Sequence, residues 1–436
     1  VTATTELLSG WGNYPRVEVR RLDARGRAEA IAATAAEHSL IARGKGRAYG
    51  DAALNRAATL SMAPSNRMLA FDQATGRLTC EAGTTLAEIL DIFVPRGWFP
   101  PVTPGTKFVT IGGMIASDVH GKNHHGAGSF GEHVESLELA LADGSTVTCA
   151  PGDDLFAATC GGMGLTGVIL AATFRLIPIE SAFIRQDTRR AANLAEAVAM
   201  LEGAAGWTYS VAWIDCLAGG ADLGRSLIFL GEHATRDEAR GAKAAKKRAL
   251  AVPIDAPAWA LNRHTVRAFN AAYYGVERPK SAIVPYDPYF YPLDAIHDWN
   301  RLYGRAGFVQ YQCVLPKGAA LPGMKLLLER IARSGRASFL SVLKQFRAQD
   351  GLLSFPMEGL TLALDFAVDR KTLALLDELD AIVADHGGRI YLTKDARWSA
   401  DHLRKGYPRL DEFLAIRRRV DPDGKFSSLL SQRLGL

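Results

Sequence analysis

The chain has 436 residues, 48% of them hydrophobic, and a formal net charge of +5, which is ample for a large core in two or three domains and excludes a disordered polymer. No apolar run approaches the roughly 18 residues of a membrane span, and VTATTELLSGWG lacks the basic-then-apolar pattern of a signal peptide. The mild positive charge calls for no nucleic acid, but it suits an anionic cofactor, an anionic substrate or an acidic membrane face.

Arg27 to His38 reads as an Ala-rich helix, and Leu40-Ile41-Ala42 as a short buried strand. That strand opens into the Gly-rich loop Arg43-Gly44-Lys45-Gly46-Arg47-Ala48-Tyr49-Gly50-Asp51. A strand running into such a loop suggests phosphate binding, yet neither the dinucleotide fingerprint nor a P-loop is present. Thr85-Leu86-Ala87-Glu88 has capping-box spacing, with Leu86, Ile89, Leu90 and Phe93 on one helical face. Ser136 to Leu141 and Thr146 to Cys149 read as a hairpin turned by Asp143-Gly144. Gly161 to Gly167 leads into an apolar strand from Val168 to Ile177.

Between these lies TPGTKFVTIGGMIASDVHGKNHHGAGSFG, Thr103 to Gly131, with seven glycines and three histidines. Glycine at this density is costly to order unless backbone must turn or lie against a ligand. Gly112-Gly113 followed by Ala116 and Ser117 is expected to leave main-chain N–H groups bare, an anion nest for a diphosphate. His120, His124 and His125 have zinc-pair spacing, but Gly121 and Gly126 break any helix and no Cys or Glu completes a set, so no metal is expected.

Beyond Ile179, Tyr209 to Ile214 and Gly307 to Val314 alternate as in a half-buried antiparallel sheet, with helices at Leu326 to Ile331 and Leu373 to Ala384. Gln310 and Gln312 project from one face. Glu232 to Arg248 reads as a helix carrying Lys243, Lys246, Lys247 and Arg248, either a solvated face or an attraction for anionic lipid head groups. Tyr273 to Tyr291 reads either as a mobile loop over a site or as ordinary core and turn. From Arg389 a strand with Tyr391, then Lys394, then two helices lead back to the first domain. The expected class is α+β: residues 1–180 and 389–436 form a two-part cofactor domain around a substrate domain of residues 181–388 built on an antiparallel sheet with flanking helices. The scattered cysteines Cys80, Cys149, Cys160, Cys216 and Cys313 read as buried thiols of a reducing, cytoplasmic compartment.

PGT…TIGG…DVHGKNHHGAGSFG resembles the flavin-binding core of the vanillyl-alcohol-oxidase type of FAD oxidoreductases, and HGKNHH is similar to the decaprenylphosphoryl-ribose oxidases, with likeness from Gly10-Trp11-Gly12 to Asp421-Pro422. The resemblance implies FAD gripped by Arg43, Gly44, Lys45, Gly46, Arg47 and Tyr49, by Pro104, Gly105, Thr106, Gly112, Gly113 and Ser117, and by His120, Gly121, Asn123, His124, Gly164, Gly167, Ile169 and Tyr391. It implies a substrate pocket of His120, Lys122, Trp213, Asn300, Arg301, Gln310, Gln312, Lys344, Phe346, Ala363 and Lys394, with Lys122, Arg301 and Lys344 suited to a phosphate.

Oxidation of an alcohol by a flavin needs a base for the hydroxyl proton and a positive field for the reduced ring. Lys394, in YLTKDAR, is the candidate for both, and Tyr49 for orienting or relaying the proton; the competing reading of Lys394 is a surface partner of Asp395. Arg47 stands where covalent relatives carry a histidine, so non-covalent FAD is expected. Thr361 and Ala363 stand where mycobacterial-type enzymes tend to carry Asn and Cys, and Val211 and Tyr291 also depart from the usual pocket. Electrophiles that need that cysteine should find no thiol here. The activity implied is oxidation of the C2 hydroxyl of a polyprenyl-phosphoryl ribose, with a separate NAD(P)H-dependent keto-reductase as partner and peripheral contact with the inner membrane face. The alternative is a soluble sugar, alditol or aldonolactone oxidase using oxygen.

Overall fold

The computed structural model describes residues 2–243, 250–257, 261–336 and 338–436. They form an α+β protein whose sheets meet around one large cavity. The first sheet is four-stranded, in the order Thr2–Ser9, Arg16–Asp23, Thr59–Ser61, Ile41–Arg43. A second, five-stranded antiparallel sheet places Val168–Arg175 between Arg77–Glu81 and Val134–Ala140. The capping box forms as its spacing predicts: Glu88 N–H donates to Thr85 Oγ1 at 3.2 Å and Glu88 Oε2 accepts from Thr85 N–H at 2.7 Å. The helix it starts, Leu86–Phe93, buries Leu86, Ile89, Leu90 and Phe93.

The third sheet has eight strands, in the order Lys280–Pro285, Phe183–Ala191, Ser226–His233, Tyr209–Ile214, Ser341–Phe346, Gly359–Ala367, Phe308–Pro316, Arg389–Ile390. Its alternation predicted one wet face, yet Tyr209–Ile214 is buried throughout and Phe308–Pro316 nearly so. The physical reason is that both faces are covered. Tyr311, Cys313, Leu343, Leu362 and Leu364 belong to the same core as residues of helices Lys317–Ser334 and Arg370–Asp385. The other face, bearing Gln310, Gln312, Lys344 and Ala363, floors the cavity.

Three sequence expectations change. Glu232 and His233 end a strand and Asp237 to Gly241 form turns, so no helix starts there; Lys246, Lys247 and Arg248 lie outside the described residues. Tyr273 to Tyr291 is no open loop: it runs from helix Arg263–Val276 through edge strand Lys280–Pro285 to helix Tyr286–Phe290. Strand Arg389–Ile390 stays on the eight-stranded sheet, with Ile390 opposite Cys313. Contact with the first half of the chain begins at Tyr391, whose hydroxyl donates to Ser117 O at 2.7 Å, continues at the turn Leu392–Lys394, where Thr393 O accepts from Tyr49 N–H at 2.9 Å, and recurs at Phe426, which bridges Leu40. Helix Leu429–Leu434 follows the two that the sequence predicted, Ala400–Gly406 and Leu410–Val420. The five cysteines are free and buried, and among the described residues no helix is long and apolar enough to cross a membrane.

Candidate active site

The cavity holds about 500 Å³ and is shared by all the glycine-rich segments and the eight-stranded sheet. Two of those loops touch because Gly44 lacks a Cβ: one there would lie 2.1 Å from Thr110 Oγ1. Thr110 is the N-cap of helix Ile111–Ala116. This helix corrects one expectation. The Gly112 and Gly113 amides are not bare; they donate to Ala82 O at 2.8 Å and Thr110 Oγ1 at 3.3 Å. The consecutive amides of Gly44, Lys45, Gly46, Arg47 and Ala48 have no acceptor among the described residues. Arg43 anchors that loop by donating to Ser9 O at 2.7 Å, and Arg47 stacks 3.8 Å over the Trp11 ring.

Most residues singled out in the sequence converge here. Arg43 to Arg47, Tyr49, Pro104, Gly105, Thr106, Gly112, Gly113, Ser117, His120, Gly121, Gly164, Gly167, Ile169 and Tyr391 line the cavity, as do Lys122, Trp213, Gln310, Gln312, Lys344, Ala363 and Lys394. Five residues do not. Asn300 donates to Trp11 O at 3.3 Å. The Arg301 guanidinium is spent on the carbonyls of Val252 and Pro253 rather than free for a phosphate. Asn123 donates to Pro101 O at 2.8 Å. His124 is held behind the wall by Gln349 at 2.9 Å, and Phe346 packs on His120 and His124. The spacing that evoked a metal thus has other partners: His120 meets Gln312 at 2.9 Å and His125 meets Trp207 O at 2.8 Å.

Lys394 is half-buried on the cavity wall, and its Nζ sits 3.6 Å from the Tyr49 ring centroid. It makes no pair with Asp395, whose carboxylate meets Arg433 at 2.9 Å. Burial lowers the Lys394 pKa and Lys344 lowers it further, while Asp365 opposes both. Burial pushes Asp365 up, against hydrogen bonding from Gln310 and the charge of Lys394. Lys122, whose Nζ donates to Tyr289 O, is brought down to about 7 by burial and then by Lys344; Lys344 falls to about 8 by burial alone. Burial also holds His120 neutral well below its usual range and raises Tyr49 well above its own. Three desolvated amines around one cavity favour an anionic guest, which restores the charged form of each.

Residues 27–150 match the FAD binding domain family and residues 346–434 match D-arabinono-1,4-lactone oxidase. Over 99% of its length the chain is 38% identical to decaprenylphosphoryl-beta-D-ribose oxidase of Mycolicibacterium smegmatis, spanning 98% of that protein. The chain belongs to the decaprenylphosphoryl-β-D-ribose oxidase family. It is an FAD-linked oxidoreductase acting on a CH–OH group. It is also 37% identical, over 81% of its length, to the whole of an uncharacterised Streptomyces coelicolor protein. A putative D-arabinono-1,4-lactone oxidase of Neurospora crassa is 33% identical, over 26% of the chain and 20% of that protein.

The cavity fits FAD. The consecutive amides of residues 44–48, without an acceptor among the described residues, suit a diphosphate, and a Cβ built on Gly105 would meet nothing within 4 Å, leaving room against that loop. Two buried polar atoms, Arg47 Nε and His120 Nδ1, have no partner among the described residues; such groups are costly unless something else satisfies them.

The sequence reading missed Trp11 and Asp294 on the cavity wall and Asp365 beside it. A usable signal existed for Asp365. It stands two residues beyond Ala363 in GLTLALDF, and period-two alternation puts both on one face. The register sets Ala363 opposite Gln312 and Asp365 opposite Gln310.

Proposed function

We propose that this oxidoreductase oxidises the C2 hydroxyl of a polyprenyl-phosphoryl ribose, or a similar lipid-linked pentose, to the 2-keto sugar, with FAD bound non-covalently. The observation that carries the reading is a cavity floored by carboxamides and ringed by Lys122, Lys344 and Lys394, in a chain alike over nearly its whole length to the mycobacterial decaprenylphosphoryl-beta-D-ribose oxidase. FAD, when bound, supplies the two-electron acceptor for the carbinol C–H. The chain's own task is then to bind, orient and deprotonate. Lys122 and Lys344 anchor the phosphate, a role the sequence had shared with Arg301. Gln310 and Gln312 face the sugar hydroxyls. Tyr49 orients the C2 hydroxyl, and the Lys394 amine, made less basic by burial, takes its proton and becomes an ammonium.

Oxidation without reduction is half of an epimerisation, so a separate NAD(P)H-dependent keto-reductase completes it from the other face. A lipid-linked substrate implies peripheral contact with the inner membrane face. The test is anaerobic mixing with farnesylphosphoryl ribose: flavin absorbance should bleach, and no bleaching removes the reading. The match of residues 346–434 to D-arabinono-1,4-lactone oxidase favours a second reading, a sugar or aldonolactone oxidase using oxygen. Peroxide formed from an aldonolactone or alditol, with no turnover of the prenyl-phosphoryl sugar, would select it.

A further inference from the structure

We propose that Asp365 is a positioning residue that sets the basicity of Lys394, acting from the sheet face that floors the cavity, at its covered edge. It rests on the reading above only in taking Lys394 as the proton acceptor. Asp365 is inaccessible to solvent and does not line the cavity. Its Oδ1 accepts from Gln310 Nε2 at 2.6 Å, and the Tyr303 hydroxyl lies within hydrogen-bonding reach of the carboxylate. Gln310 in turn lies within hydrogen-bonding reach of the Tyr49 hydroxyl, and Tyr49 carries Lys394 on its ring. The four side chains form one cluster between strands Phe308–Pro316 and Gly359–Ala367 and the turn Leu392–Lys394, with Tyr49 and Lys394 reaching the cavity.

A buried carboxylate held only by neutral donors is costly unless a charge elsewhere compensates it. Lys394 is that charge. The groups facing Lys394 are Asp365, Lys344, Tyr49 and His120; those facing Asp365 are Lys394, Gln310, Tyr49 and Tyr303. Only Asp365 among them can turn anionic near neutrality: burial raises its carboxyl to about 7 and holds both tyrosines protonated. Lys344 pushes the proton off Lys394; Asp365 holds it on. When Lys394 takes the hydroxyl proton, Asp365 stabilises the ammonium that forms, and no other bond changes.

The test is the pH midpoint for acetylation of Lys394 by acetic anhydride in the holoenzyme, read by peptide mass spectrometry. Asp365→Asn should lower the midpoint by at least about one pH unit and carry the rising limb of flavin reduction to lower pH, with a lower plateau; Asp365→Glu should restore most of the shift. An unmoved midpoint in a folded, FAD-replete Asp365→Asn protein overturns the proposal. Should that variant not fold, Asp365→Asn with Lys394→Met removes both charges together and must fold; if it also fails, Asp365 is a packing residue and the proposal falls. The midpoint depends on no particular sugar, so a wrong substrate assignment leaves this outcome intact.

Discussion

Lys394 Nζ lies 3.6 Å from the centroid of the Tyr49 ring, although the two residues stand near opposite ends of the chain. Backbone fixes the contact: Tyr49 N–H donates to Thr393 O at 2.9 Å. Replacing Lys394 by Met should keep FAD bound, because the free amides of residues 44–47 are untouched, and slow flavin reduction by about 10²–10⁴-fold. Tyr49→Phe should cost less, about tenfold, since only the orienting hydroxyl is lost. Stopped-flow reduction under anaerobic conditions checks both, and equal rates in Lys394→Met and wild type would remove Lys394 from the chemistry.

Gly50 is what lets those backbones meet. A Cβ there would lie 1.7 Å from Asp395 O, a backbone atom that cannot swing aside. Gly50→Ala should therefore force the turn at Leu392–Lys394 away from the loop of residues 43–51. The expected result is a loss of stability of about 1–3 kcal/mol together with a fall in flavin reduction, measured by thermal melting and stopped flow. A variant as stable and active as the parent would show that the close approach is not needed.

What the sequence revealed and what it hid follow different physics. The capping box at Thr85 and the Gly-rich loops were legible because their chemistry is local: a side chain three residues on, or backbone that must turn. The pair Gln310 and Gln312 was legible because alternation alone decides their face. The second coverage of the eight-stranded sheet was not, because burial of its polar face comes from segments distant in sequence. Arg301 was misjudged for the same reason. Its cation looked free in one dimension, but carbonyls of residues 252 and 253 claim it in three. Asp365 was overlooked because an aspartate in an apolar strand carries no sign of its partner until strand register places Gln310 opposite.

Arg47, which the family resemblance sets where covalent relatives carry a histidine, holds its guanidinium 3.8 Å over the Trp11 ring. Arginine offers no nucleophilic nitrogen free to form the link. Acid precipitation of the holoenzyme should therefore leave all yellow colour in the supernatant. Flavin remaining on the washed polypeptide would contradict the non-covalent assignment. Trp11→Ala, which takes away the ring beneath the guanidinium at a cation–π cost of about 0.5–2 kcal/mol, should loosen the 43–47 loop and weaken FAD binding without changing how the flavin is attached.

Lys344 gives the sharpest separation of stability from binding. Its amine sits half-buried on the cavity floor with no carboxylate or carbonyl partner among the described residues, and burial lowers its pKa from 10.5 to about 8. In the window between those values the unfolded chain holds the proton that the folded chain has released, so stability of the unliganded protein rises with pH there. Below about 8 the folded amine is charged and the penalty is present in full. Lys344→Met should accordingly stabilise the ligand-free protein at pH 7, by on the order of 1–3 kcal/mol, with the gain shrinking towards pH 10. The same change should weaken binding of farnesyl phosphate by about tenfold or more, because a charge-assisted contact is lost. Thermal melting across pH and quenching of tryptophan fluorescence from Trp213 and Trp11 on the cavity wall read the two effects separately. If the substitution destabilises at pH 7, or leaves phosphate affinity unchanged, Lys344 is not a desolvated cation awaiting an anion.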